Sequence, residues 1–125
     1  MIPHALRLFF VIHFFADIIF AIPLLLAPVG FLKLLGWESV DPVSTRLVGA
    51  ALVGIGVESL LGRNGSRDSF ATMLRLKILW SATATTGLVI SALQGAPLMT
   101  WFFVLVFGSF CGVWTYFRWR LARGG

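Results

Sequence analysis

His13 and Asp17 lie four residues apart in the apolar run LRLFFVIHFFADIIFAIPLLL, residues 6–26. That spacing puts both side chains on one face of a helix, within reach of a shared hydrogen bond. The run is long enough to cross a bilayer. Asp17 then falls ~20 Å along the helix from His4, close to the bilayer midplane. A lone charge at that depth costs at least ~2.5–3.5 kcal/mol on insertion scales. Three states answer the cost: a protonated Asp17, an ionised Asp17 paired with protonated His13, or an Asp17 that faces a hydrated cavity. In chemical terms the pair reads as a proton relay or as the polar floor of a ligand site. In packing terms it reads as a clamp, with Ser81, Thr83 or Thr85 of a later membrane helix as its partners.

A second constellation joins Glu58 to Arg75 and Lys77 across the polar turn GRNGSRDS. Antiparallel neighbours would bring these groups to similar depths, so an ion pair from Glu58 to one base is expected, with the other base snorkelling to the interface. Arg46, at the start of the second membrane helix, reaches headgroups or turns inward as an outer gate over a cavity lined by Asp17. Other chemistries lack their residues. His4 and His13 share one segment and cannot face each other across a haem. A metal cluster at His13 and Asp17 lacks a third ligand at equal depth, and Cys111 is a lone cysteine read as a packing residue. No phosphate-binding or dinucleotide fingerprint and no nucleophile–base–acid set is present.

The elements that must position these groups are membrane helices. Hydrophobic residues make up 58% of the 125 residues and charged residues 12%, about half the charged share of a soluble domain. The mean hydropathy is +0.93. The expected fold is an all-α membrane protein, a compact bundle of four transmembrane helices with both termini on the same side. It forms one domain, with spans near residues 6–26, 43–61, 70–93 and 98–117. Asp17 interrupts the first run and no convincing cleavage site follows, so it reads as a retained helix and not a signal peptide. Pro23 should kink or loosen its end. Residues 28–36 form an interfacial helix or the ragged end of the first span. Asp41-Pro42 reads as an N-cap followed by proline at the first helical position.

The second span, RLVGAALVGIGVESLL, is rich in glycine and alanine. Leu47, Ala51, Gly54 and Glu58 fall on one face at helical spacing, which directs Glu58 into protein. Ala50 and Gly54 there, with Gly108 and Gly112 in the fourth span, are the expected helix-packing residues. Trp101 marks one interface, and Trp114, Tyr116 and Trp119 the other. Eight of the ten Lys and Arg residues fall on the side of the termini and central loop, leaving Lys33 and Arg46 opposite. That asymmetry places both termini in the cytoplasm, and it explains the net charge of +5 without nucleic acid.

The stretch RLVGAALVGIGVESLLGR resembles the second span of small four-helix bacterial membrane proteins in the broad DoxX-like group, and FLKLLGWESVDPVSTR is similar to the link before it. The resemblance covers the four-span layout and residues 31–63. It implies a compact four-helix bundle and, from some relatives, association with quinone-linked oxidoreductase complexes or with redox homeostasis, while many relatives have no assigned activity; the expected location is a bacterial inner membrane. It assigns no catalytic residue.

Taken together, the residues point to a non-enzymatic membrane protein, an accessory subunit or a bundle that binds a lipophilic molecule. A proton-coupled transporter built on His13 and Asp17, acting as a homodimer, is the first alternative. The second is a quinone-contacting subunit of a larger membrane complex, with His13 or Trp80 at the headgroup. The expected surroundings are lipid, with no resident metal.

Overall fold

A computed structural model describes residues 1–124. The order is α1 (His4–Leu26), α2 (Pro28–Leu34), α3 (Pro42–Leu61), a 3-10 turn (Gly62–Asn64), α4 (Arg67–Leu93) and α5 (Met99–Arg123). There is no strand among the described residues. Helices α1, α4 and α5, and α3 with its trailing 3-10 turn, are each long and apolar enough to cross a membrane. The all-α membrane class expected from the sequence is therefore observed. The chain divides into two compact units. One spans residues 3–64; the other comprises residues 1–2 and the chain from residue 65 onward.

In the first unit α1 packs against α3. The buried residues of α1 are Leu6, Phe10, His13, Asp17, Ala21 and Leu24. Those of α3 are Thr45, Gly49, Leu52, Gly56 and Ser59. Both sets follow the three- and four-residue steps that keep a stripe on one side of a helix. The helices are antiparallel, because the Arg7 guanidinium donates to Arg63 O at 2.7 Å while Arg46 Nε donates to Leu25 O at 3.1 Å. Glycines on the α3 stripe set the approach. A Cβ at Gly49 would lie 2.9 Å from Leu25 Cγ, and one at Gly56 would lie 2.8 Å from Asp17 Cβ.

This stripe corrects the expected face of α3. Leu47, Ala50, Gly54 and Glu58 are exposed, and Gly54 has open space where a side chain would be. Small residues lie on several sides of this helix, so composition left its packed face undetermined. The stripe is marked instead by Gly49 and Gly56, seven residues apart.

The segment after α1 is a separate short helix. Ala27, at φ −141°, breaks α1, and Pro28 begins α2. Gly36 then ends α2 at φ 114°, a left-handed conformation suited to glycine. The amides of Gly36 and Trp37 reach back to Lys33 O and Leu32 O at 3.1 and 3.0 Å, forming a Schellman cap. Asp41 caps α3, accepting from the Val43 and Ser44 amides at 3.1 and 3.3 Å, with Pro42 in the first turn.

In the second unit α4 packs against α5. Phe70, Leu74, Lys77 and Ser81 are buried on α4, and Thr100, Trp114, Phe117 and Leu121 on α5. Arg67, at the start of α4, donates to Leu121 O near the end of α5, so this pair is antiparallel too. Both helices extend beyond the expected spans. Capped by Ser66, α4 begins at Arg67, three residues before Phe70, and α5 continues through its arginine-bearing turns to Arg123. Helical hydrogen bonding persists past the apolar stretch, which hydropathy does not mark. The α4–α5 turn repeats the Schellman device, with Gly95 at φ 94° and Ala96 N donating to Ser91 O at 3.1 Å.

The Asp41 cap has a pH signature. The Ser44 hydroxyl first, then the Val43 and Ser44 amides, hold its carboxyl below the usual carboxylate range. A depressed folded-state value means the stabilisation is complete above the unfolded value, about 3.9, and is lost as pH falls through the folded one. Asp41→Ala should lower the thermal midpoint at neutral pH and flatten this acid-side loss. Melting curves across a pH series check both effects.

Candidate functional site

The polar centre of the first unit is built by α1 and α3. His13 and Asp17 are buried, 4% and 6% exposed, with His13 Nε2 3.3 Å from Asp17 Oδ1. His13 Nδ1 lies 3.4 Å from Ser59 Oγ. The Ser59 hydroxyl also donates to Ile55 O of its own helix at 2.8 Å, so the serine, the imidazole and the carboxyl form one polar chain across the α1–α3 contact. Gly56 makes the site possible, since a side chain there would occupy the space of Asp17 Cβ and Oδ2.

Ser59 and Gly56 are the residues that sequence reasoning missed. Their signal was the alternation Gly49, Leu52, Gly56, Ser59 at steps of three and four, which places Ser59 on the glycine stripe.

The expected hydroxyl partners sit differently. Ser81 is buried, but its hydroxyl donates to Lys77 O at 2.7 Å. Thr83 is exposed and donates to Leu79 O at 2.7 Å. Thr85 is half-buried and donates to Ser81 O at 2.6 Å. All three hydroxyl protons are committed to their own helix, the usual arrangement for Ser and Thr within helices.

The charged group of Glu58, Arg75 and Lys77 also separates. Glu58 is exposed and forms no ion pair among the described residues. Arg75 is exposed. Lys77 is buried, with Nζ 4.9 Å from the centre of the Trp114 ring, a cation–π contact that favours the ammonium away from water. Arg46 is not an inward gate: it is exposed, and its guanidinium donates to Leu25 O in the last turn of α1. Of the glycines expected to pack α5, Gly108 would bring a Cβ to 3.8 Å from Thr85 Cγ2, and Gly112 is open.

Two buried polar atoms of the second unit have no hydrogen-bond partner, Trp80 Nε1 on α4 and Thr100 Oγ1 on α5. Trp80 meets Phe107 edge to face, ring centres 6.2 Å apart. The indole nitrogen is purely a donor, so it calls for an acceptor. No group of three or more His, Cys, Asp or Glu side chains that could hold a metal ion is found among the described residues.

Two substitution sets test the α1–α3 geometry. Gly56→Ala forces a methyl group onto Asp17 and should cost about 1–3 kcal/mol. Gly54→Ala meets open space and should be neutral or stabilising by up to about 1 kcal/mol through helix propensity. Removing Asp17 alone, as Asp17→Leu, should cost about 3–5 kcal/mol, because it leaves buried His13 without its carboxylate; replacing both residues by Leu should cost less. Reversible unfolding in mixed micelles reads both comparisons. No protein-family model, curated protein or solved structure matches the chain.

Proposed function

We propose that this protein binds a lipophilic molecule through a hydrogen-bond acceptor on its headgroup, of the quinone-carbonyl type, and serves as a non-enzymatic accessory subunit in a membrane. The observation that carries the reading is Trp80 Nε1, a buried donor with no acceptor, on a helix long and apolar enough to cross a membrane. A buried unsatisfied donor is costly to keep. A ligand from the lipid phase removes that cost by accepting its hydrogen bond. The His13–Asp17 pair takes the other part in this reading. Both ring nitrogens of His13 are engaged within the α1–α3 hairpin, which suits a tie that holds two helices in register.

The proposed setting is a bacterial inner membrane with both termini cytoplasmic. Its support is the charge distribution. Arg7 and Arg63 meet at one end of the α1–α3 hairpin, with Arg46 at the other. Arg67, Arg120 and Arg123 gather where α4 begins and α5 ends. The second-span resemblance to DoxX-like proteins supports the same assignment.

The test is extraction of lipophilic compounds from the purified protein, followed by ultraviolet spectroscopy and mass spectrometry. Wild type should retain a carbonyl-bearing isoprenoid or similar compound. Trp80→Phe keeps a ring at the position and removes the donor. It should weaken rebinding by about 5- to 12-fold, equivalent to one hydrogen bond of about 1–1.5 kcal/mol, without lowering the stability of the ligand-free protein. Equal binding by wild type and Trp80→Phe would overturn the proposal.

A further inference from the structure

We propose that the C-terminal turns of α5 form a headgroup site for an anionic phospholipid. Tyr116, Trp119, Arg120 and Arg123 are all exposed. Their spacing interleaves two i,i+4 pairs on one side of the helix. The Arg120 guanidinium lies 5.9 Å from the Tyr116 ring centre and donates to the Tyr116 hydroxyl at 3.0 Å. The Arg123 guanidinium lies 4.3 Å from the Trp119 ring centre. Each cation is thus folded back over an aromatic face, which holds the planar fork in place on an exposed part of the helix.

The ordinary task of arginines at a helix end is to serve its last carbonyls. Here other groups do that: Arg67 donates to Leu121 O, and the Gly124 amide donates to Arg120 O at 3.1 Å. Nor are the two cations neutralised nearby. Residues 99–123 contain no Asp or Glu. Asp68 lies in the first turn of α4, and neither Arg120 nor Arg123 forms an ion pair among the described residues.

Depth selects the partner. A helix of 25 residues is ~37 Å long at 1.5 Å per residue, against a hydrocarbon core of ~30 Å. The excess puts the last turns of α5 among headgroups, where Trp and Tyr rings settle. A guanidinium fork at that level, fixed by a ring beneath it, matches a phosphodiester in charge and in paired acceptors. The site is distinct from Trp80, which pairs with Phe107, because thirteen residues from Phe107 to Arg120 is ~20 Å of helix.

The test is native mass spectrometry of the purified protein in detergent with added phosphatidylglycerol or phosphatidylcholine of identical acyl chains. Wild type should retain the anionic lipid in preference to the zwitterionic one. Each of Arg120→Gln and Arg123→Gln should reduce that preference about fivefold, the effect of one basic residue near an anionic surface. The double Arg→Lys variant keeps the charge and should retain a reduced preference, which also shows that the helix end is intact. Arg75→Gln, an exposed base elsewhere on the unit, should change nothing. Equal preference in wild type and the double Gln variant would overturn the site. So would an equal loss on Arg75→Gln, which would assign the effect to net charge. Displacement of the lipid by millimolar inorganic phosphate would overturn the lipid assignment in favour of a soluble anion.

Discussion

Asp17 can face α3 only because residue 56 has no side chain. The clearance is a single methyl group: a Cβ at Gly56 would come within 2.8 Å of Asp17 Cβ and 3.3 Å of its Oδ2. From that contact the rest of the hairpin follows. One turn back along α1, His13 is brought level with Ser59, one turn on along α3. Toward the other end Gly49 admits Leu24 and Leu25 by the same device. In a membrane, lipid tails are as apolar as leucine, so burying leucine against leucine gives little reason for two helices to associate. Close backbone approach and internal hydrogen bonds do that work, and both are concentrated on the Gly49–Gly56–Ser59 stripe.

Arginine takes the same role at helix ends. Arg46 reaches Leu25 O, Arg7 reaches Arg63 O, and Arg67 reaches Leu121 O. Each guanidinium joins one helix to the carbonyl-bearing end of another or to the turn that follows it. These carbonyls lack intrahelical donors, and a cation there also opposes the helix dipole. The positive charge that a topology argument counts as an orientation signal is therefore also structural. Arg120 and Arg123 stand apart, with their guanidiniums turned toward rings and not toward carbonyls.

The sequence made the helices legible and left their faces obscure. Four apolar stretches, separated by glycine- and proline-bearing turns, sufficed for the all-α membrane class, because backbone groups in hydrocarbon must be satisfied within a helix. The Asp41-Pro42 cap was legible for an equally local reason. The packed face of α3 was not. Small residues at 49, 50, 51, 54 and 56 offer contact surfaces on several sides, and hydrophobic periodicity cannot rank them in a helix apolar all round. Only the partner decides, and the partner of Gly56 is Asp17, far away in sequence. The hydroxyls of α4 misled for a different reason. A polar run in a membrane helix looks like an interhelical clamp, yet Ser81, Thr83 and Thr85 each give their proton to a carbonyl of their own helix.

The same habit reaches the His13 centre. Ser59 too bonds back to its own helix, at Ile55 O, and its oxygen also lies 3.4 Å from His13 Nδ1. The other ring nitrogen is 3.3 Å from Asp17 Oδ1. A carboxyl buried alone in a membrane helix meets the insertion cost of a lone charge in full. Here it is held beside an imidazole that is itself anchored to α3 through Ser59. The group that is hardest to bury is therefore the one that ties the two helices together.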